Sequence, residues 1–565
     1  MKHLPVPPLR QSLDRYLAAV APLSTPEQRL RAAQLVEDFA QTDGRACQAE
    51  LRRWAHGENT AGRSWLSQAW LSQYLSNRAP LPLTSSVGFR IVLPCADTGA
   101  PRAADVIHRV ADVHLSYLRD EIDGEVNTRG DAMDMSQWRV LAGGLRHPQR
   151  GMDDVREGRP GAASREIGVV WQGRLVIMPV SDEAGRPFSR TVFADAVQRL
   201  HELPPLGEDT FTHSSYLGSD RAAAYLDTLL EHPGNREVYD RLVHAVFVVN
   251  LTDTPANEQD HQQRVTFAPG QAWAYKPLTY QVSLVDDYVG VHVEHSVVDG
   301  ATLKSMVALM QDVEPTDGDG PAIPLQPLAW SMSDDLSTRL ARDMAWYRRQ
   351  AEALRVRIVR FPVPVPPDLP FRVSHDALQQ LSLLYAQLTA YTTVRSTYEA
   401  VDMREYQAGR TECLRPVTSD AVALIRALLA GEATVDHLHA GLAAHREQVI
   451  SCKSGQGFDR HMLGLRLTAP HLGVDASLFE DATYAHLTRD FLSTTSVGDA
   501  AQVRRFSFAP SSVGGFGVNY TVVDDTHEFC VTYNVADVER PDDFIRALGA
   551  GVSALGQLLA HARDS

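Results

Sequence analysis

The chain has 565 residues, 44% of them apolar and 22% charged, which is more than one ordinary core holds and points to two domains. Lysines and arginines number 54 against 70 acids, and the resulting net charge of −16 repels phosphate backbones and excludes a nucleic-acid partner. The five scattered cysteines fit neither a disulfide frame nor a zinc site, and no stretch has the length and apolarity of a membrane span, so a soluble, cytoplasmic protein without a metal is expected.

The amino-terminal stretch Met1 to Pro8 lacks the apolar core of a leader. Residues 8 to 80 read as helical, with Leu13, Leu17 and Val20, and then Trp65, Leu66, Trp70, Leu71 and Tyr74, at helical spacing. From Val87 to Leu93 onward strands and helices alternate. Strands are expected at 167–171, 175–180 and 245–250, the first two joined as a hairpin through Gln172-Gly173-Arg174.

The most informative seven residues are Glu294-His295-Ser296-Val297-Val298-Asp299-Gly300. Alternation along the preceding strand puts His295 in the row of Val289, Val291 and Val293, with His292 and Glu294 on the other face. A histidine fixed at a strand end suits proton removal at neutral pH, its unperturbed pKa being about 6.5. Asp299, four residues on, is placed to orient the loop.

A helix is expected through Leu303, Met306, Val307 and Met310, and the Pro/Gly-rich segment Glu314 to Pro321 after it is the expected domain boundary. Asp334 to Leu354 reads as a long helix, and Phe361 to Pro367 as an extended connector. Ser374 is placed to cap a helix carrying Leu378, Leu381, Tyr385 and Leu388. Asp524-Asp525-Thr526 marks a second hairpin, and Phe544, Leu548, Val552, Leu555 and Leu559 form a terminal amphipathic helix.

Downstream of His295 come Thr397-Tyr398-Glu399-Ala400, Gly409-Arg410-Thr411-Glu412, Gly457-Phe458-Asp459-Arg460-His461-Met462-Leu463-Gly464-Leu465 and Leu492-Ser493-Thr494-Thr495. With Leu4 to Leu9, Met135-Ser136-Gln137-Trp138 and Arg146-His147-Pro148, this ordered set resembles the choline/carnitine O-acyltransferases over nearly the whole chain. The resemblance implies an α/β fold of two similar mixed-sheet domains, chloramphenicol-acetyltransferase-like, around a central tunnel. Residues 87–335 would form the amino-terminal domain carrying the histidine, and residues 1–86 plus 336–565 the domain carrying the acceptor-binding residues.

The chemistry so implied is acyl transfer between a thioester and the hydroxyl of carnitine or a carnitine-like alcohol, with no covalent intermediate. No cofactor is bound permanently; acyl-CoA or acyl-phosphopantetheine is the co-substrate. His295 would be the general base, aided by Asp299, with Thr495 donating to the oxyanion and Ser493 beside it in the wall. Arg460, in the Asp459-Arg460-His461 that marks carnitine rather than choline enzymes, would clasp a carboxylate bidentately, helped by Tyr398 and Thr411. Phe508 would face the trimethylammonium group.

On the donor side Asp376 and Glu399 match the family, but the lysines that meet the 3′-phosphate of coenzyme A do not, because 365–369 is apolar. Arg355, Arg357, Arg360 and Arg372 are the nearby cations. An acyl carrier protein, whose phosphopantetheine lacks that phosphate, is therefore an alternative donor and partner. Two further readings are a condensation-type or plant-type transferase acting on another alcohol or amine, and a noncatalytic thioester-binding protein. The first is disfavoured because Glu294 stands where condensation domains usually place a second histidine and Gly514-Gly515-Phe516-Gly517 does not match the D-F-G-W-G of the plant family; the second is disfavoured by the joint presence of His295, Arg460 and Thr495.

Overall fold

A computed structural model describes residues 1–96, 98–159, 165–203 and 211–564. It is an α/β protein built on two large mixed sheets. The first has eight strands in the order Val503–Phe508, Val87–Ile91, Val289–Val293, Leu278–Ser283, Val248–Thr252, Glu166–Trp171, Arg174–Pro179 and Gln326–Leu328. The second has six, in the order Leu354–Pro362, Thr526–Asn534, Phe516–Val523, Leu492–Thr495, Thr397–Asp402 and Thr411–Leu414.

Local chemistry explains the best-defined elements. Val248–Thr252 lies between two parallel neighbours, and an almost continuous apolar run suits a strand covered on both faces. Helix Gly99–Leu118, buried on nearly every side, packs in the same core as this sheet. Both hairpins form with two-residue turns whose residues all have positive φ, namely Gln172 and Gly173 (47° and 83°) and Asp524 and Asp525 (46° and 58°). That geometry matches the twist of the flanking strands. Ser374 Oγ accepts from the Ala377 amide and so starts helix His375–Tyr391 as expected.

Two expectations about organisation need correction. The segment 314–321 is no boundary: Arg190 pairs with Asp317 and its amide donates to the Thr316 carbonyl, and the chain then adds strand Gln326–Leu328 to the first sheet. Pro362 ends a strand rather than opening a connector, which it can do because Leu354–Pro362 is an edge strand.

Strand Val503–Phe508, assigned by the resemblance to the second unit, pairs antiparallel with Val87–Ile91 and becomes the edge of the first sheet. The carboxy-terminal half thus crosses the gap between the sheets and ties them together. Helix Asp334–Ala353 reinforces the seam, sharing a core with Val356 and Cys530 of one sheet and with Tyr216 and Phe267 from the other half.

Candidate active site

Strand Val289–Val293 stops two residues short of His295, so a turn, rather than the pleat, aims the imidazole. Ring Nδ1 lies 2.7 Å from the Val298 carbonyl oxygen. A carbonyl can only accept, so Nδ1 carries the proton and Nε2 keeps its lone pair. The side chain is 25% exposed, and Tyr74 meets it edge-on with ring centroids 5.5 Å apart.

Glu294 holds the turn from beneath. Its carboxylate accepts from the Ser296 hydroxyl (2.5 Å), the Ser296 amide (3.2 Å) and Arg146 Nη1 (3.2 Å), while Arg146 Nε reaches Asp153 at 2.7 Å. All of these groups are buried.

Asp299 stands 3.6 Å from His295 Nδ1 and accepts a two-pronged bond from Arg410, Nε to Oδ2 and Nη2 to Oδ1, both at 2.9 Å. Gln137 completes the shell: its Nε2 donates to Asp299 Oδ2 at 2.9 Å, and its Oε1 accepts from the Asp299 amide at 2.7 Å. Burial by itself would raise the Asp299 pKa, but Arg410, and then His295, hold it below the ordinary value. Arg410 Nη1 also donates to the Ser296 carbonyl at 2.7 Å, so one guanidinium braces the loop from the second half of the chain. Its backbone takes φ of +53°, and Ala408 has +47°, a left-handed conformation that residues with side chains adopt rarely.

The ring of His295 borders a cavity of about 290 Å³ between the sheets. Asp299, Tyr398, Thr411, Ser493, Thr495 and Phe508 line the same cavity. The hydroxyls of Ser493 and Thr495 have no hydrogen-bond partner among the described residues and are open to a ligand. Phe508 reaches the wall because its strand is paired at Val87, and because Gly517 leaves room, a Cβ there falling 2.7 Å from the Phe508 carbonyl oxygen.

Arg460 stands differently from the bare fork expected of it. It is 6% exposed; Nη1 donates to Asp459 at 3.0 Å, Nε to the Thr411 carbonyl at 3.2 Å and Nη2 to the Tyr398 hydroxyl at 2.9 Å. Its guanidinium lies over the Trp70 ring, 4.2 Å from the centroid. The charge therefore meets the cavity through Tyr398, whose oxygen accepts from Arg460 and whose proton is left for an anion. Burial pushes the Tyr398 pKa up to about 12, so that proton stays on at neutral pH.

Asp376 and Glu399 line a second cavity, of about 460 Å³, which shares Ala301, Ala400, Asp402, Ser496 and Val497 with the first. Asp376 Oδ1 accepts from Tyr520 at 2.8 Å. His445 Nε2 lies 3.4 Å from Asp376 and 3.6 Å from Glu399. Burial, and then Asp376, raise Glu399 to about 7, and Glu399 in turn raises His445 against the effect of burial. Of the described residues, these three could hold a metal ion, their ligand atoms lying within 4.8 Å of one another. The shifts also describe a cluster sharing protons without one.

Sequence reasoning missed the roles of Arg410, Gln137, Trp70 and Tyr74. Gln137 and Arg410 do lie in the short stretches that carried the resemblance, which was the available signal. Nothing local marked the two aromatics as cavity walls rather than core.

Residues 4–550 match the family described as choline/carnitine O-acyltransferase. The carnitine O-acetyltransferase of Mus musculus is 27% identical, the match covering 94% of this chain and 89% of that one. The choline O-acetyltransferase of Danio rerio is 23% identical over 96% of this chain and 91% of its own. Among solved structures, a trichothecene 15-O-acetyltransferase from Fusarium sporotrichioides superposes with a TM-score of 0.37 at 10% identity, covering 86% of this chain and 93% of that one.

Proposed function

Because the chain belongs to the choline/carnitine O-acyltransferase family, and so is an O-acyltransferase working between a coenzyme A thioester and a hydroxyl, we propose that His295 is its general base and that its acceptor is carnitine or a close relative bearing a carboxylate and an onium group. One observation carries this reading. Residues distant in sequence, His295, Tyr398, Thr411, Thr495 and Phe508, border a single cavity in which base, hydroxyl donors and aromatic face meet.

The steps follow from the groups present. His295 Nε2 takes the acceptor's hydroxyl proton as that oxygen attacks the thioester carbon. The Thr495 hydroxyl donates to the oxyanion that forms. As the C–S bond breaks, the imidazolium returns the proton to the departing sulfur, and no acyl group rests on the protein. Asp299 is held ionised by Arg410 and stabilises the imidazolium without taking its proton. Tyr398, polarised by Arg460, and Thr411 meet the acceptor's carboxylate, and Phe508 faces its onium group.

The test is turnover of acetyl- and longer acyl-CoA with carnitine and with choline. Wild type should prefer carnitine and show sequential rather than ping-pong kinetics. His295→Ala should remove transfer with folding intact, a loss of about 10²-fold or more. Substantial transfer by that variant, or isolation of an acyl-enzyme, would overturn the mechanism.

A further inference from the structure

Three side chains beside the second cavity turn their free atoms toward one point. Asp376 comes from the first turn of helix His375–Tyr391, Glu399 from strand Thr397–Asp402 and His445 from helix Val435–Lys453. Glu399 and His445 are each 5% exposed, yet Glu399 Oε2 and His445 Nε2 have no hydrogen-bond partner among the described residues. Burial without a partner is costly for either atom, most of all for an ionised carboxylate.

Their spacing is too wide for hydrogen bonds and close to that of ligands around an ion. His445 Nε2 stands 3.4 Å from Asp376 Oδ2 and 3.6 Å from Glu399 Oε2, whereas a charge-assisted N–H to carboxylate bond closes to about 2.7–2.9 Å. Ligands about 2.0–2.1 Å from a tetrahedral centre lie about 3.3–3.4 Å from one another. The three ligand atoms, all within 4.8 Å of one another, already approach the edges of such a polyhedron. Tyr520 sets Asp376 in place: its hydroxyl donates to Oδ1 at 2.8 Å and leaves Oδ2 facing His445, while Gln380 Nε2 donates to the Tyr520 oxygen at 3.0 Å. Outer partners of this kind orient the carboxylates of metal sites. Asp376 is also the open side. Its side chain is 37% exposed and with Glu399 lines the cavity of about 460 Å³, which gives an ion an entry path and leaves a fourth position for water.

We propose that Asp376, Glu399 and His445 form a binding site for a divalent transition ion of the Zn²⁺ class. One imidazole nitrogen with two carboxylate oxygens suits such an ion, whereas Mg²⁺ and Ca²⁺ prefer oxygen alone. Two ionised carboxylates also match its charge. The ion ties two helices to a strand of the second sheet and so fixes the wall of the second cavity. It takes no part in the proton transfer, because His295 borders the first cavity and not this one. No sequence pattern announces the site: each ligand comes from a different element, without the paired Cys/His spacing of common metal motifs.

The experiment is calorimetric titration of Zn²⁺, and separately of Mg²⁺, into the full chain after chelator treatment and dialysis, with Co²⁺ absorption as the probe of geometry. Wild type should take up Zn²⁺ and bind Mg²⁺ at least about tenfold more weakly. Its Tm should rise as Zn²⁺ is added, and Co²⁺ should give the intense visible bands of a four-coordinate site. In His445→Gln and Glu399→Gln the Zn²⁺ affinity should fall by more than about tenfold and the Co²⁺ bands should vanish. Tyr520→Phe removes only an outer hydroxyl and should weaken Zn²⁺ by about tenfold, which carries the test should the ligand variants fail to fold. An unchanged Zn²⁺ affinity in the folded variants, equal affinity for Mg²⁺, or a wild type whose Tm ignores Zn²⁺ overturns the proposal and leaves a cluster that shares protons. None of these readouts involves acyl transfer, so failure of the site and failure of the functional reading are told apart.

Discussion

Asp299 occupies the residue before helix Gly300–Asp312 and yet caps nothing with its side chain. An aspartate there ordinarily satisfies a free amide of the first turn; here the carboxylate is spent on Arg410 and Gln137, and the helix start yields local stability to the site. Asp299→Asn keeps the shape and removes the charge, leaving Arg410 buried without its partner. A loss of about 3–5 kcal/mol in chemical denaturation is expected, together with a fall in kcat larger than any rise in KM. Glu412 offers a second test at this scale. It is buried, accepts from the amides of Cys413 and Arg460, and burial raises its pKa from 4.5 to about 7. A raised folded pKa means the stabilising contribution is complete below 4.5 and is lost as pH rises through 7. Glu412→Gln cannot ionise, so it should raise Tm relative to wild type at pH above 7 and leave it little changed in acid; equal effects at both extremes would refute the assignment.

The elements legible in the sequence were those whose cause is local. The two hairpins were announced by Gln172-Gly173 and Asp524-Asp525, the helix at Ser374 by its cap, and the terminal helix by its apolar stripe. The histidine turn and the cavity residues were legible too, because each lies in a short distinctive stretch. What failed was long-range pairing. Nothing within Val503–Phe508 tells it to leave the second sheet for the edge of the first, since its partner at Val87–Ile91 is far away in sequence, and the proline-rich stretch after Met310 looks like a linker until its contacts with Arg190 are seen. The crossing strand is what delivers Phe508, so its fit can be tested through the acceptor. At Gly517 an added Cβ would lie 2.7 Å from the Phe508 carbonyl oxygen and 3.1 Å from its ring. Gly517→Ala should displace that ring and raise KM for the acceptor more than for the donor. Equal effects on the two KM values would mean that Phe508 does not contact the acceptor.

On the scale of the molecule, two core systems meet along a seam and their buried titratable groups govern how stability responds to acid. His114 and His461 are depressed to about 3, and His147, His213, His292 and His527 to about 4, in every case first by burial. Several are held as neutral rings by defined partners: His114 by the Leu141 carbonyl and Tyr280, His292 by the Val265 carbonyl, His461 by Ser12 and Gln48. Below an unfolded pKa of about 6.5 the unfolded chain takes up protons that these folded rings refuse, so stability falls with pH until the folded pKa values are reached. Glu399 and Glu412, both raised to about 7, push the other way between 4.5 and 7, but they are two against six. Tm should therefore climb from pH 4 to about 6.5. His461→Gln, whose amide can keep one of the two bonds across to the amino-terminal helices without titrating, should make that climb shallower even if it lowers Tm at neutral pH. A profile of unchanged steepness would mean that the histidine between those helices and Asp459–Leu472 is not among the groups that set the acid limit of the fold.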